Sequence, residues 1–407
     1  MEFELTSRHE EWRAHCHSFA RDELRPVADR HDRDGMFPWD ALRAARAAGL
    51  YDEQLLRRIG EDPAGLFAPI LFEELHWGCA GIAQAIGLAT GVAAMLATQG
   101  TPEQAARLLP RCYAGVDGDV SVPAYALTEP EAGSDVSSLR TRARRDGDGW
   151  VLDGAKSMIA GGGIAAFTLV VASVEPELRS RGQATFVVER GADGLSTGTP
   201  HETLGLRAQN VADLALDGCR VGADALLGGE DALEARLERA RERGPGGPAT
   251  RPAGSAAGEL TRPLFAAGAL GILRAALEWT LEWLAAARRD SGDGASAEAG
   301  AAAGAVAEIA AQLEGARLLV WRTTWMARQG QPLRRAEGSM AKLAAARLAM
   351  RGLLTLMDVV GPAAGDAECP LGKWLRDARA FAILEGTDEI QESIVMRRLL
   401  AEVETPA

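Results

Sequence analysis

Residues 144–154, RRDGDGWVLDG, place Asp-Gly doublets on both sides of a short Trp-Val-Leu run. Asp-Gly supplies the positive φ angles of a two-residue hairpin turn, and Trp and Val favour extended backbone. The stretch therefore predicts an antiparallel hairpin. Working outward, FTLVVASV (167–174), ATFVVER (184–190) and ADLALDGCRV (212–221) repeat the texture, with another Asp-Gly turn in VERGADG (188–194). Short β-type runs closed by such turns fit a barrel or a sandwich better than a parallel sheet, and residues 123–229 are expected to form an antiparallel β-barrel domain.

On either side the hydrophobic period becomes helical. Residues 1–122 read as an N-terminal α-helical domain: EEWRAHCHSFARDELRPVADRHD (10–32) leads to FPWDALRAARAAGL (37–50), with Pro38 at a helix start and Gly49 near its end. EELHWGCAGIAQAIGLATGVAAMLATQG (73–100) is apolar almost all round and is expected to be buried on all sides. Residues 230–262 read as a flexible linker, because ARERGPGGPATRPAGSAAGELTR (240–262) cannot bury enough apolar surface to offset its ordering. From 263 to 407, stripes at Leu270, Leu273, Leu277, Leu281 and Leu284, at Val306, Ile309, Leu313 and Val320, and at Met340, Leu343, Met350, Leu354 and Met357 predict a C-terminal four-helix bundle. The first of its helices is expected to fray in RRDSGDGASAEAGAAAG (288–304). The fold class is thus α+β multidomain, in the order helices, barrel, bundle.

Composition narrows the function. A chain of 407 residues exceeds the roughly 250–300 that one core supports. Its 44 basic and 57 acidic residues give a net charge of -13, the wrong sign for a nucleic-acid footprint. Five cysteines lie far apart without a C-x-x-C pair, so no disulfide framework or zinc site is expected. His15, Cys16 and His17 point in different directions on a helix and cannot close around one ion. No window approaches about 18 apolar residues free of charge, and the opening MEFELTSRHEEW has no signal-peptide core. A cytoplasmic protein with no metal and no membrane or nucleic-acid partner is the expectation.

YALTEPEAGSD (125–135) gathers hydroxyls and bare backbone amides that suit an anion or a polar cofactor edge, though the same residue types make ordinary surface turns. Five further segments follow a related order: GTPEQAARLLP (100–110), GDGWVLDGAKSMI (147–159), LGLR (204–207), SMAKL (339–343) and RDARAFAILEGTDEIQ (376–391). Together the six resemble the acyl-CoA dehydrogenase family over nearly the whole chain.

The resemblance implies FAD as cofactor. Tyr125, Leu127, Thr128, Gly133 and Ser134 would line the flavin, with Thr128 on the polar edge of the ring and Ser134 toward the pyrophosphate. Met158, Ile159, Ala160, Thr387 and Glu389 would make further cofactor contacts, and Arg289 of a neighbouring subunit would hold the adenosine half. Glu385 matches the family's catalytic base, which removes the α-proton of an acyl thioester before hydride passes from Cβ to the flavin. Its own N–H and a ribityl hydroxyl would stabilise the thioester oxygen, and Phe381, Ala382, Ile383 and Leu384 would give it apolar surroundings. The partners implied are acyl-CoA or an acyl carrier protein, and a homodimer or homotetramer.

The family pattern is also broken. Met158 stands where the family carries Trp, and Ala160 where it carries Thr. After Arg289, Gly292 and Asp293 replace Phe-Gly and Gly300 replaces Gln; later Asp358 and Pro362 replace Gln and Gly. Two further readings therefore stay open: a flavin-free relative that uses Glu385 for isomerisation, dehydration or cyclisation, and a non-catalytic binding subunit. Arg140, Arg142, Arg144 and Arg145 form the densest basic cluster near the β-domain, a composition usual for a solvated face.

Overall fold

The computed structural model describes residues 4–242, 255–291 and 297–404. Thr6 caps the first helix by accepting the His9 N–H (3.4 Å). The N-terminal part then runs through α1 (Ser7–Phe19), α2 (Ala28–Asp34), α3 (Trp39–Ala47), α4 (Glu53–Glu61), α5 (Phe67–Gln99) and α6 (Pro102–Leu108). Thr101 and Gln104 form a reciprocal capping box at the start of α6. Helix α5 is broken at Cys79, whose backbone is extended (φ −160°, ψ 115°). The preceding Gly78 allows the close approach there, for a Cβ would lie 2.9 Å from the Ala20 carbonyl.

The middle part contains β1 (Ala124–Ala126), β2 (Arg142–Asp146), β3 (Gly149–Ala160), β4 (Phe167–Ser173), β5 (Gln183–Glu189), β6 (Leu195–Thr197) and β7 (Val211–Val221). The RRDGDGWVLDG stretch closes the β2–β3 hairpin, with Asp146 opposite Gly149. Antiparallel pairs join β2–β3, β3–β7, β4–β5 and β6–β7, while β4 meets β1 and one end of β2 in parallel. The result is one curled seven-stranded sheet. Alternate residues of β4 face opposite ways: Val170 and Ala172 enter the sheet's own core, whereas Phe167 and Leu169 join the helical core.

The linker expected over 230–262 is partly helix. Helix α7 (Glu230–Glu242) buries Leu233 and Leu237 against the sheet, and α8 (Ser255–Ser291) begins well before residue 263. The intervening 243–254 lies outside the described residues, as does 292–296 of the segment expected to fray. Helices α8, α9 (Ala297–Arg328), α10 (Glu337–Val360) and α12 (Asp388–Glu404) form the bundle, with α11 (Pro370–Phe381) leading into α12.

Two expectations need correction. On α10 the stripe of Met340, Leu343, Met350, Leu354 and Met357 is half-buried or exposed. Ala341, Ala345, Ala349, Leu353 and Leu356 are buried instead, because small residues let α8 and α10 approach closely. The windows of α5 and α8 are also long and apolar enough to cross a membrane by length and composition, and 72% and 67% of them is buried inside the fold. Helix α5 packs on α8, so the N-terminal helices and the bundle share one continuous hydrophobic core.

Candidate active site

The loop after β1 is built around buried charge. Lys156 of β3, fully buried, donates to the Leu127 carbonyl (2.9 Å) and to the Glu129 carboxylate (2.8 Å). Glu129 also accepts the N–H groups of Arg140 (2.6 Å) and Thr141 (3.0 Å). Burial alone would raise the Glu129 pKa, but Lys156 and these amides outweigh it and hold the carboxyl below its usual value. On this frame Tyr125, Leu127 and Thr128 are half-buried, and Gly133 and Ser134 are exposed. Among the described residues the hydroxyls of Thr128 and Ser134 find no partner, and a Cβ at Gly133 would meet nothing within 4 Å.

Between Lys156 and Ile159 the pairing of β3 with β7 slips. In that bulge Met158 adopts a left-handed backbone (φ 58°) with its side chain 54% exposed. Asp213 of β7 fixes the shape: its Oδ1 accepts the Met158 N–H (2.9 Å) and the Ser157 hydroxyl (2.8 Å), and lies 2.9 Å from His201 Nε2. The His201 contact leads in lowering the Asp213 pKa to about 2. Ile159 is buried and Ala160 half-buried where β3 ends.

Glu385 stands in the turn between α11 and α12 with φ 57°, a left-handed backbone that costs a non-glycine residue about 1–3 kcal/mol. The buried Gln391 amide donates to the carbonyls of Glu385 and Gly386 (3.0 Å each). Lys342 of α10, also buried, donates to the Gly386 carbonyl (2.9 Å) and to Asp388 (3.2 Å). These bonds hold the strained turn. The Glu385 N–H has no partner among the described residues, and its carboxylate accepts the Thr261 hydroxyl of α8 (2.8 Å). Burial, with the Glu385 charge adding to it, raises the pKa of the Tyr125 phenol, so Glu385 lies within electrostatic reach of β1.

Not every expected residue lies there in the same way. Glu385 is exposed, Phe381 is buried, Ala382 and Leu384 are half-buried and Ile383 is 52% exposed, so the surroundings are apolar on the inner side only. Thr387 and Glu389 serve the start of α12: the Thr387 hydroxyl accepts the Ile390 N–H (3.4 Å), and Glu389 places a carboxylate in its first turn. Arg289 is exposed in the last turn of α8, about 40 Å along that helix from Thr261 at 1.5 Å per residue. It could reach this site only from another copy. In the basic cluster, Arg140, Arg144 and Arg145 are tied to Glu131, Asp153 and Glu230. The sequence reading assigned no role to Glu129, Lys156, Asp213, Thr261, Lys342 or Gln391. It also missed the anchor of the LGLR loop, where Lys373 bonds Asp377 (2.6 Å) and Asp377 accepts the Leu206 N–H (2.6 Å).

Known proteins share this fold. The acyl-CoA dehydrogenase N-terminal, middle and C-terminal domain models match residues 6–116, 124–219 and 256–400. The probable acyl-CoA dehydrogenase fadE25 of Mycobacterium leprae is 30% identical over 404 residues, 98% of this chain and 97% of the relative. The chain belongs to the acyl-CoA dehydrogenase family. The mitochondrial short-chain specific acyl-CoA dehydrogenase of Bos taurus is 31% identical over 404 residues, covering 98% and 91% of the two chains. Among solved structures, butyryl-CoA dehydrogenase from Megasphaera elsdenii superposes with a TM-score of 0.83 at 25% identity, covering 98% of this chain and all of that one. The prolyl acyl carrier protein oxidase AnaB gives 0.81 at 26%, covering 97% and 100%.

Acyl-CoA dehydrogenases are oxidoreductases built on FAD, and the residues here fit the ring half of that cofactor. Thr128 and Ser134 offer unpaired hydroxyls, Gly133 leaves room for backbone approach, and Met158 presents an exposed side chain. The adenosine side is poorer. Asp358 and Pro362 are exposed and offer a negative charge and no amide donor, Gly300 has no side chain to offer, and Gly292 and Asp293 lie outside the described residues.

Proposed function

We propose that the chain is an FAD-dependent dehydrogenase that oxidises the α,β-bond of an acyl thioester carried by CoA or by a carrier protein. The observation that carries this reading is Glu385, which presents a carboxylate and an unpaired N–H from one strained residue. The carboxylate is the base for the α-proton, oriented by the Thr261 hydroxyl. The N–H donates to the thioester oxygen as that oxygen gains enolate character, and needs no reorganisation to do so. Lys342 and Gln391 keep both groups in place by bonding the carbonyls behind them. Bound FAD supplies the acceptor for the hydride leaving Cβ.

The remoteness of Arg289 supports a homo-oligomer in which copies complete each other's cofactor sites. Five free, buried cysteines support a reducing, cytoplasmic setting. A second reading, proton transfer at the α-carbon without flavin, is favoured by one observation: the Met158 amide is committed to Asp213 and Ala160 has no hydroxyl to offer in its place. The visible absorption spectrum of the purified protein, before and after FAD addition and desalting, separates the two. Retained flavin at near one per chain, bleached by an acyl thioester, is the expected result. A colourless protein after desalting transfers the case to the second reading.

A further inference from the structure

The site's inner wall limits what can occupy it. On α8, Thr261, Phe265 and Gly268 share one face. Thr261 bonds the Glu385 carboxylate, and Phe265 follows one turn further in, about 6 Å along the axis. Its ring centroid is 6.2 Å from that of Phe381, which is 5.5 Å from His76, which in turn is 5.8 Å from Phe72. These four rings form a continuous barrier.

The barrier is held rigidly. Gly268 presses bare backbone against it: a Cβ there would lie 3.0 Å from both the Phe381 and the His76 rings. His76 cannot swing away, because its Nδ1–H donates to the Phe72 carbonyl (2.6 Å) while Nε2 accepts from the Gln84 amide (3.0 Å). Complete burial lowers its pKa to about 4, so the ring is neutral and this pattern of donor and acceptor is fixed. Beyond it, the cavity between Phe72, His76 and Ile86 holds only about 10 Å³, barely the space of one water molecule. That cavity is too small to take an alkyl chain.

We infer that Phe265, backed by Phe381 and His76, closes the acyl compartment one helical turn beyond the base, so that this enzyme takes short acyl thioesters, of butyryl rather than octanoyl length. This rests on the acyl-thioester reading above. The thioester carrier does not enter, since the wall meets only the far end of the acyl group.

Calorimetric titration of the holoenzyme with butyryl- and octanoyl-pantetheine, the arm common to CoA and to carrier proteins, tests the wall. Flavin bleaching is followed with the same thioesters. Butyryl-pantetheine is expected to bind at least tenfold tighter than octanoyl-pantetheine, and Phe265→Ala to improve octanoyl binding at least tenfold. Octanoyl-pantetheine binding the wild type as tightly as butyryl-pantetheine overturns the inference, and this comparison needs no variant. A length preference without bleaching would retain the wall and refute the dehydrogenase reading. Binding of neither length would refute both.

Discussion

Glu385 combines three things that rarely coincide on one residue: a left-handed backbone, a free N–H and a carboxylate with a hydroxyl partner. Glu385→Gln keeps the shape and removes the base, so turnover with an acyl thioester and an electron-acceptor dye is expected to fall by about 10²–10⁴. The thermal midpoint should not move, and a melt beside the assay checks it. Lys342→Met leaves the Gly386 carbonyl and Asp388 without their ammonium partner, a loss of about 1–3 kcal/mol for buried groups. Its kcat should drop at least tenfold as the turn relaxes; urea unfolding and steady-state kinetics read the two effects separately. Glu385 was legible in the sequence because RDARAFAILEGTDEIQ carries the family pattern. Lys342 was equally available by another signal. Only three of the 44 basic residues are lysine, and Lys156, Lys342 and Lys373 are all buried at 7% exposure or less. Where arginine serves every other cationic position, the lysines mark places that need a compact charge with three donors and exclude a planar fork.

At the scale of elements, the strands were easier to read than the helix contacts. Asp-Gly turns punctuate β2, β3 and their neighbours, so the hairpin and the sheet follow from local chemistry. Large apolar side chains misled on α10, where the packed face mixes leucines with alanines whose small size permits close approach. Helix α7 was missed because its sequence is mostly charged, with Leu233 and Leu237 as its main buried anchors. A close helix approach is marked by a glycine that periodicity cannot flag: a Cβ at Gly271 of α8 would lie 2.2 Å from the Glu73 carbonyl of α5. Gly271→Ala must push the two helices apart, and overpacking of this kind costs about 1–3 kcal/mol or more. Denaturant unfolding should show a lower midpoint with an unchanged slope.

Across the whole molecule, the helical layers are pinned by ion pairs inside their shared core. Glu74 of α5 accepts Arg274 of α8 (2.8 Å) and faces His17 of α1 (2.9 Å), while Glu73 accepts Arg317 of α9 (2.7 Å). Burial would raise the Glu74 pKa, but Arg274 and His17 outweigh it and lower it. A depressed carboxyl pKa contributes stability that is present above the unfolded value, about 4.3, and is lost as pH falls through the folded value. Glu74→Gln should therefore flatten the loss of stability below about pH 4 relative to the wild type, measured as urea midpoints across an acid series. The shared core itself was not legible, since the halves that build it are separated by the entire sheet and only their packing shows that α5 needs α8. That separation has a consequence during synthesis. Once α5 has left the ribosome, its apolar surface waits for α8 until the sheet has been made, on the order of ten to thirty seconds at roughly 5–20 residues per second. A nascent chain in that interval is a natural client for chaperones, and slow translation through the sheet should lower the soluble yield.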